Sequence, residues 1–505
     1  MNYPSLFYQL LPEAVLVITA LVLLGVAVTR ESKTGKPISS GLAATIAVMG
    51  VVFAGVALGF APRDVDSGSY LISLDPMALM SKGMVLGLGL LAMLLPPAHK
   101  EIANPGEFFA LMLFALTGLV LTVGSNHLLF LFVALELASL SLYLLAGFSR
   151  TARSAEASLK YFLFGAVSAA FTLFGLSFLY GFSHSDTLQG VASAVAANPT
   201  STLGMVGLLM VLVGLGFKLA AAPFHYWAPD VYQGAPLTSV TLIAGASKVV
   251  GMVLLIRFLM IGFPAAAGSA NLGQMAAGWS MWLAILAAVS MVFGNILALA
   301  QKSVRRLLAY SAVANTGYLL VGMSAHGAAS SGAALFYVVV YALATLGALA
   351  VTAAVEREHG DDSVSSFAGL VHRSPLLAVS LLICMTSLAG IPPLAGFAGK
   401  FILFGSALSD SSALTEGMPG LSWLVGLAVV MSAISLYYYL SVLKQAFVLG
   451  EEKAEEGEFP LSLGHTLAVL LPAVALVVLG LFPSLLLDPI KSAVLDTLGI
   501  TLGLR

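Results

Sequence analysis

Cysteine is almost absent: Cys384 stands alone in 505 residues, which excludes a disulfide framework, a thiolate cluster or a cysteine-ligated zinc site. No redox centre is therefore expected in this chain. Charge is also scarce, at 9% of residues with a net value of -2, so no basic face is offered to nucleic acid. Nor is any polar stretch long enough to be a soluble domain. The longest charged segments, near Glu356 to Arg373 and Glu451 to Glu458, read only as loops, with no room for a catalytic head. Whatever chemistry the chain performs must lie in its apolar part.

That part is most of the molecule. Apolar side chains make up 59% of the sequence and the mean hydropathy is +1.00, which marks an all-α, polytopic membrane protein. Runs of about 20 apolar residues, enough to cross roughly 30 Å of hydrocarbon, predict fourteen spans. They lie near 8-29, 40-61, 77-97, 106-124, 126-148, 157-182, 203-232, 236-262, 280-300, 305-324, 331-355, 375-408, 421-449 and 463-487. The first has no positive segment before it and is too long for a signal peptide, so it is expected to remain as an uncleaved span. The seventh and twelfth are too long to be plain helices. One carries Pro223 and Pro229, the other Pro392 and Pro393. Proline removes a backbone donor and clashes one turn back, and carbonyls freed inside a membrane need protein or water. Both spans are predicted to be broken helices facing an aqueous interior.

Loops after odd-numbered spans carry Arg30, Lys33, Lys36, Lys100, Arg150, Arg153, Lys302, Arg305, Arg306, Arg357, Arg373 and Lys453, whereas those after even-numbered spans carry only Arg63. Cytoplasmic loops hold the excess of Lys and Arg, so both termini are expected outside the cytoplasm. The two broken spans are five helices apart, and an odd offset reverses direction across the membrane. This is the arithmetic of an inverted repeat. Residues 1-505 are read as a single transmembrane domain: helices one to three at 8-97, a first repeat of helices four to eight at 106-262, a second of helices nine to thirteen at 280-449, and helix fourteen at 463-487.

Four ionisable residues stand deep in these spans. Each costs roughly 2.5–3.5 kcal/mol at a helix centre, so together they cost on the order of 10–14 kcal/mol unless partnered. Glu136 lies about ten residues into its span, about 15 Å deep at 1.5 Å per residue. Lys218 precedes Pro223 by five residues, Lys248 follows Pro236 by twelve, and Lys400 follows the prolines of the twelfth span. An intramembrane carboxylate with several lysines reads by default as a path for protons or ions. A buried lysine beside a carboxylate can change protonation near neutrality as the pair forms or breaks. Small neighbours, Gly214, Gly216, Ala220 to Ala222, Gly245, Gly396 and Gly399, leave room for water or for close helix contact.

Blander readings apply to each. Glu136 can form a static ion pair, and a lysine near a helix end can snorkel. Snorkelling is weighed for Lys160, early in its span, and is the expectation for Lys82 and Arg257. His225, just past Pro223, is either a proton relay or a hydrogen-bonded packing residue. Tyr437, Tyr438 and Tyr439 read as packing and interface anchors, and Lys302, Arg305 and Arg306 as a topology signal.

In GFKLAAAPFHYWAPDVYQGAP, LELASLSLYLL, SLKYFLFGAVSAAF and GIPPLAGFAGKF the chain resembles the antiporter-like membrane subunits of respiratory complex I, over about residues 8 to 488. The resemblance implies fourteen helices in inverted five-helix repeats, and proton translocation coupled to quinone reduction elsewhere. It makes Glu136 and Lys218 the family's glutamate-lysine pair, Lys248 its central lysine, Lys400 its exit residue and Lys160 a further lysine. A lysine at 400 argues for the N or L type rather than the M type. An end about 17 residues after the last span, without a long lateral helix, then favours the N type. The resemblance implies no cofactor in this chain, with NADH, FMN, iron-sulfur clusters and quinone handled by partner subunits. Those partners would be M-type and small K-, J- and A-type membrane subunits of a bacterial inner membrane. The same architecture serves Mrp-type cation/proton antiporters and the membrane arms of photosynthetic or ferredoxin-fed complexes. A non-transporting scaffold and an organic-solute carrier are the remaining readings.

Overall fold

A computed structural model describes residues 8–61, 71–97, 102–412, 420–448 and 461–499. Arg63, Lys100, Lys453 and the segment from Glu451 to Glu458 lie outside the described residues. Within them, thirteen helices are long and apolar enough to cross a membrane, from Leu11–Thr34 to Leu463–Leu481. The remaining expected span, the twelfth, is split into Pro375–Ala389 and Ala395–Ser412. The seventh is split as well, into Thr202–Leu219 and Ala228–Gly234. Among the described residues extended pairing amounts to isolated bridges, such as Ile72 with Ser125.

Local signals set the ends. Asp75 caps the third span by accepting from the Ala78 amide at 2.8 Å, and Thr151 and Ser154 form a reciprocal capping box at the sixth. Pro12, Pro76, Pro105 and Pro375 sit in first turns, where a missing N–H costs nothing. Three features depart from the sequence reading. The eighth span breaks at Gly245 and ends in a π-helical stretch, Arg257–Gly262. The loop before the seventh span contains the helix Leu188–Ala197. The charged stretch from Glu356 to Arg373 is only partly loop, because the eleventh helix continues to His359 and short helical turns follow at Val364–Phe367 and Leu370–Arg373.

The chain divides into two compact units. The first comprises Met1–Leu219, Gly234–Gly268 and Ile490–Arg505, and the second Ala220–Gln233 and Ser269–Pro489. The eighth span is buried along its whole membrane window in the first unit, as is the eleventh in the second. The fourth and fifth spans cross where a side chain on Gly118 would strike the backbone of Ala134 and Ala138. The ninth and tenth meet in the same manner where Gly294 faces Ala314. Lipid tails give helices no hydrophobic reason to associate, so such close backbone approach supplies the packing energy.

Ion pairs pin each unit. In the first, Lys82 is 1% and Glu13 3% exposed, and the ammonium donates to Glu13 Oε1 at 2.6 Å, joining the third span to the first. Arg257 is buried and donates through Nη2 to Asp75 Oδ2 at 2.6 Å, while Thr497 donates to the other Asp75 oxygen at 3.2 Å. Lys82 and Arg257 therefore do not snorkel: each has an acidic partner inside the bundle, so neither needs to reach the headgroups. In the second unit Arg305 contacts Glu356 through Nη1 and donates through Nε to the Tyr232 carbonyl. Arg306 donates to Asp230 Oδ1 at 2.6 Å and Gln233 Oε1 at 3.3 Å. Beyond marking topology, these arginines clamp the second half of the broken seventh span.

Removing one partner of a buried pair strands the other charge, at a cost of about 3–5 kcal/mol. Lys82→Met should accordingly lower the melting temperature of the detergent-solubilised protein and its yield from membranes, and adding Glu13→Gln should recover most of the loss. A Lys82→Met protein as stable as the parent would show that the pair does not hold the first and third spans together.

Candidate functional site

In the first unit three of the four deep ionisable residues share a neighbourhood. Glu136 lies in the middle of the helix Leu128–Ala146 and Lys218 in the last turn of Thr202–Leu219, and each is the charged group that acts on the other. Both are half-buried. The helix carrying Lys218 ends at once because Ala220 takes a left-handed conformation, φ 58°. Its ammonium therefore rides at the carbonyl end of a half-helix, the end whose dipole favours a cation. The Lys218 stem lies over Gly251 of the eighth span, where an added Cβ would stand 3.6 Å from Lys218 Cγ and 3.0 Å from Leu219. Lys248 is one turn before Gly251 on the same fully buried segment, Ala246–Ile256, and is 2% exposed. A glycine at 251 thus gives the stem of the seventh span's lysine room against the buried segment that carries Lys248.

Lys400 belongs to the second unit and is 5% exposed. Its Nζ donates to the Leu388 carbonyl at 2.9 Å, the Ala389 carbonyl at 3.2 Å and Ser432 Oγ at 2.9 Å. Leu388 and Ala389 end the first half of the twelfth span, so the ammonium fills the gap that the break opens in the backbone ladder. Gly390 turns the chain there with φ +87°, and an added Cβ would stand 3.1 Å from Lys400 Cδ. Only a residue without Cβ supplies both the left-handed turn and the space. Three contacts use all three hydrogens of the ammonium. A neutral amine has two hydrogens and a lone pair, so loss of the proton either releases one contact or reverses the bond to Ser432, whose hydroxyl can donate to the amine.

The other candidates are Lys160 and His225. Lys160 is half-exposed and pairs with Glu156 one turn earlier, Nζ to Oε1 2.6 Å, on a stretch of helix whose neighbours Leu159, Phe162 and Leu163 are exposed. His225 is buried in the second unit, its ring stacked on Tyr226 with centroids 4.8 Å apart and edge-on to Tyr310 at 6.4 Å. Its Nδ1 makes no hydrogen bond, so a packing role secured by hydrogen bonds through that atom does not describe it.

The sequence reading missed a polar group in the second unit. Tyr438 and Tyr439 are not interface anchors: they are 2% and 0% exposed, and their hydroxyls bond to Asn295 and to Ser311 and Asn315, whereas Tyr437 is 70% exposed. The available signal was an asparagine in each of two apolar spans, Asn295 in the ninth and Asn315 in the tenth, because a buried amide without partners is costly.

Comparison with known proteins identifies the family. The family described as NADH:quinone oxidoreductase/Mrp antiporter, TM, matches residues 125–435, more than half of the chain. Over 386 residues the chain is 50% identical to NADH-quinone oxidoreductase subunit N 2 of Acidobacterium capsulatum, with 76% of each chain covered. Over 494 residues it is 37% identical to NADH-quinone oxidoreductase subunit N of Trichlorobacter lovleyi, with 96% of each covered. A chain of respiratory complex I from Thermus thermophilus with bound aureothin superimposes with a TM-score of 0.77 at 33% identity, covering 94% of this chain and 98% of that one. Two broken helices with a lysine at each break, in a bundle that follows a complex I chain over nearly its whole length, place this chain in the NADH:quinone oxidoreductase/Mrp antiporter transmembrane family.

Proposed function

We propose that the chain is the N-type, proton-translocating subunit in the membrane arm of a bacterial NADH-quinone oxidoreductase, and that Glu136, Lys218, Lys248 and Lys400 carry the protons. The observation that carries this reading is the hold on Lys400. An ammonium whose three hydrogens are all bonded at a helix break changes its contacts when it changes protonation, which is what a coupled pump requires. NADH oxidation and quinone reduction take place in partner subunits that hold the flavin and iron-sulfur clusters, and M-type and small K-, J- and A-type subunits adjoin this one in the inner membrane. Both termini face away from the cytoplasm, following the distribution of Lys and Arg in the loops.

In this mechanism a charge shift in the neighbouring subunit draws Glu136 away from Lys218 or returns it. With the carboxylate near, Lys218 keeps its proton. With the carboxylate withdrawn, the half-buried ammonium is left poorly solvated and gives its proton to water. Lys248 accepts that proton and passes it to Lys400, whose release to water on the outer side completes the cycle. Lys160 and His225 are assigned supporting places at the margins of the path. An Mrp-type antiporter would use the same side chains, but the high identity to NADH-quinone oxidoreductase subunits N over most of the chain favours the complex I assignment.

Reconstituted in proteoliposomes, the assembled complex carrying Lys218→Ala or Glu136→Ala should pump severalfold fewer protons per NADH oxidised. Undiminished pumping by either would sink the assignment, while loss of assembly with Lys248→Ala would indicate a scaffold. Co-purification with flavin and iron-sulfur subunits is expected, and a sodium-dependent growth defect on deletion would instead mark an antiporter. Gly390→Val should push Lys400 off the Leu388 and Ala389 carbonyls and lower pumping as strongly as Lys400→Ala. If this valine variant pumped normally, the carbonyl hold would have no part in transport.

A further inference from the structure

Two asparagines of the second unit organise four buried tyrosines in the same way. Asn295 donates from Nδ2 to its own helix at the Met291 carbonyl, 2.7 Å, and to Tyr318 Oη, 3.3 Å, while its Oδ1 accepts from Tyr438 Oη at 3.0 Å. Asn315 donates to the Ser311 carbonyl at 2.8 Å and to Tyr439 Oη at 3.4 Å, and its Oδ1 accepts from Tyr337 Oη at 2.5 Å. All six side chains are at most 2% exposed. Each asparagine thus holds one tyrosine whose proton is committed to the amide oxygen, Tyr438 or Tyr337. It holds a second, Tyr318 or Tyr439, whose oxygen receives an amide hydrogen and whose own proton is left for another acceptor.

The two groups adjoin each other and the lysine. The rings of Tyr438 and Tyr439 lie 4.5 Å apart, and the Tyr439 and Ser311 hydroxyls are hydrogen-bonded. Lys400 Nζ stands 5.0 Å from the centroid of the Tyr318 ring and donates to Ser432, six positions before Tyr438 on the thirteenth span. A hydroxyl both donates and accepts, so it can take a proton on one side as it gives one up on the other. A carboxamide cannot do so without changing its bonding, which leaves the asparagines to fix the direction in which each hydroxyl points.

We infer that this array is a proton relay serving Lys400, with the hydroxyls of Tyr318, Tyr439 and Ser311 as carriers, Asn295 and Asn315 as positioning residues, and water completing the contacts between Tyr439 and Tyr318 and between Tyr318 and the lysine. The inference rests on the reading of Lys400 as a proton site. In each transfer an O–H bond forms at the receiving hydroxyl while its original O–H bond breaks toward the next acceptor. The last acceptor is the lone pair of the neutral Lys400 amine, which becomes the ammonium, so protons are neither created nor lost.

The test uses the assembled complex in proteoliposomes and counts protons pumped per NADH oxidised in H2O and D2O. Tyr318→Phe and Tyr439→Phe remove one oxygen each and should lower that ratio as far as Lys400→Ala does, with subunit content and NADH oxidation by an artificial acceptor unchanged. Ser311→Ala should behave likewise, and Ser311→Thr, which keeps the hydroxyl, should restore pumping and the parent isotope effect. Parent pumping by both Phe variants, alongside reduced pumping by Lys400→Ala, would overturn the relay and leave the functional reading standing. Parent pumping by Lys400→Ala would overturn both. Should the Phe variants fail to assemble, the Ser311 pair decides: equal pumping by the Ala and Thr forms refutes the relay.

Discussion

An ammonium group buried in an apolar bundle needs polar partners, and at Lys400 the carbonyls exposed by a broken helix provide them. Lys400 bonds to Leu388 and Ala389 at the end of one half-helix, and Lys218 rides in the last turn of another. A helix break inside a membrane is normally a liability, because freed backbone groups need partners. At Lys400 the unpaired carbonyls and the expensive cation satisfy one another. The break and the lysine are therefore one feature, and the glycine at 390, the serine at 432 and the prolines that force the break all follow from it.

The same constraint accounts for the ion pairs away from the candidate path. Lys82 with Glu13 and Arg257 with Asp75 are buried at 2.6 Å, and each joins elements far apart in sequence. With no hydrophobic force drawing one helix to another in lipid, close backbone crossings and satisfied polar pairs are what specify neighbours. Both pairs are closed over by the bundle, and Asp75 also accepts from the Ala78 amide and from Thr497. Glu136 and Lys218 differ in being half-buried rather than closed over. Arg305 and Arg306 stand between the two kinds, as a fixed clamp on the half-helix that continues the broken seventh span.

Much of the architecture was legible from residue order. Long apolar runs located the fourteen spans, and Pro223, Pro392 and Pro393 located the two breaks, because hydrophobic length and proline chemistry act locally. Gly245 did not announce its break, since glycine is tolerated inside a helix and marks a break only where packing demands one. Lys82 and Arg257 were misjudged for a related reason. Depth along a helix can be counted from the sequence, whereas the presence of Glu13 or Asp75 across a helix interface cannot. Tyr438 and Tyr439 are adjacent to the exposed Tyr437, and nothing in three consecutive tyrosines tells which of them turns inward.

The sequence by itself determined that this is a helical membrane protein with ionisable residues at mid-depth, because burying a charge in lipid is costly enough for each such residue to stand out singly. Only the tertiary structure decided what each charge meets. Lys218 lies across Gly251 on the segment that carries Lys248, Lys400 is bonded at its own helix break, Lys160 is turned to the surface beside Glu156, and Asn295 and Asn315 each hold two tyrosines. The physical reason is that cost belongs to a residue and its own helix, whereas partnership depends on how separate helices are rotated and packed, which no stretch of sequence records alone.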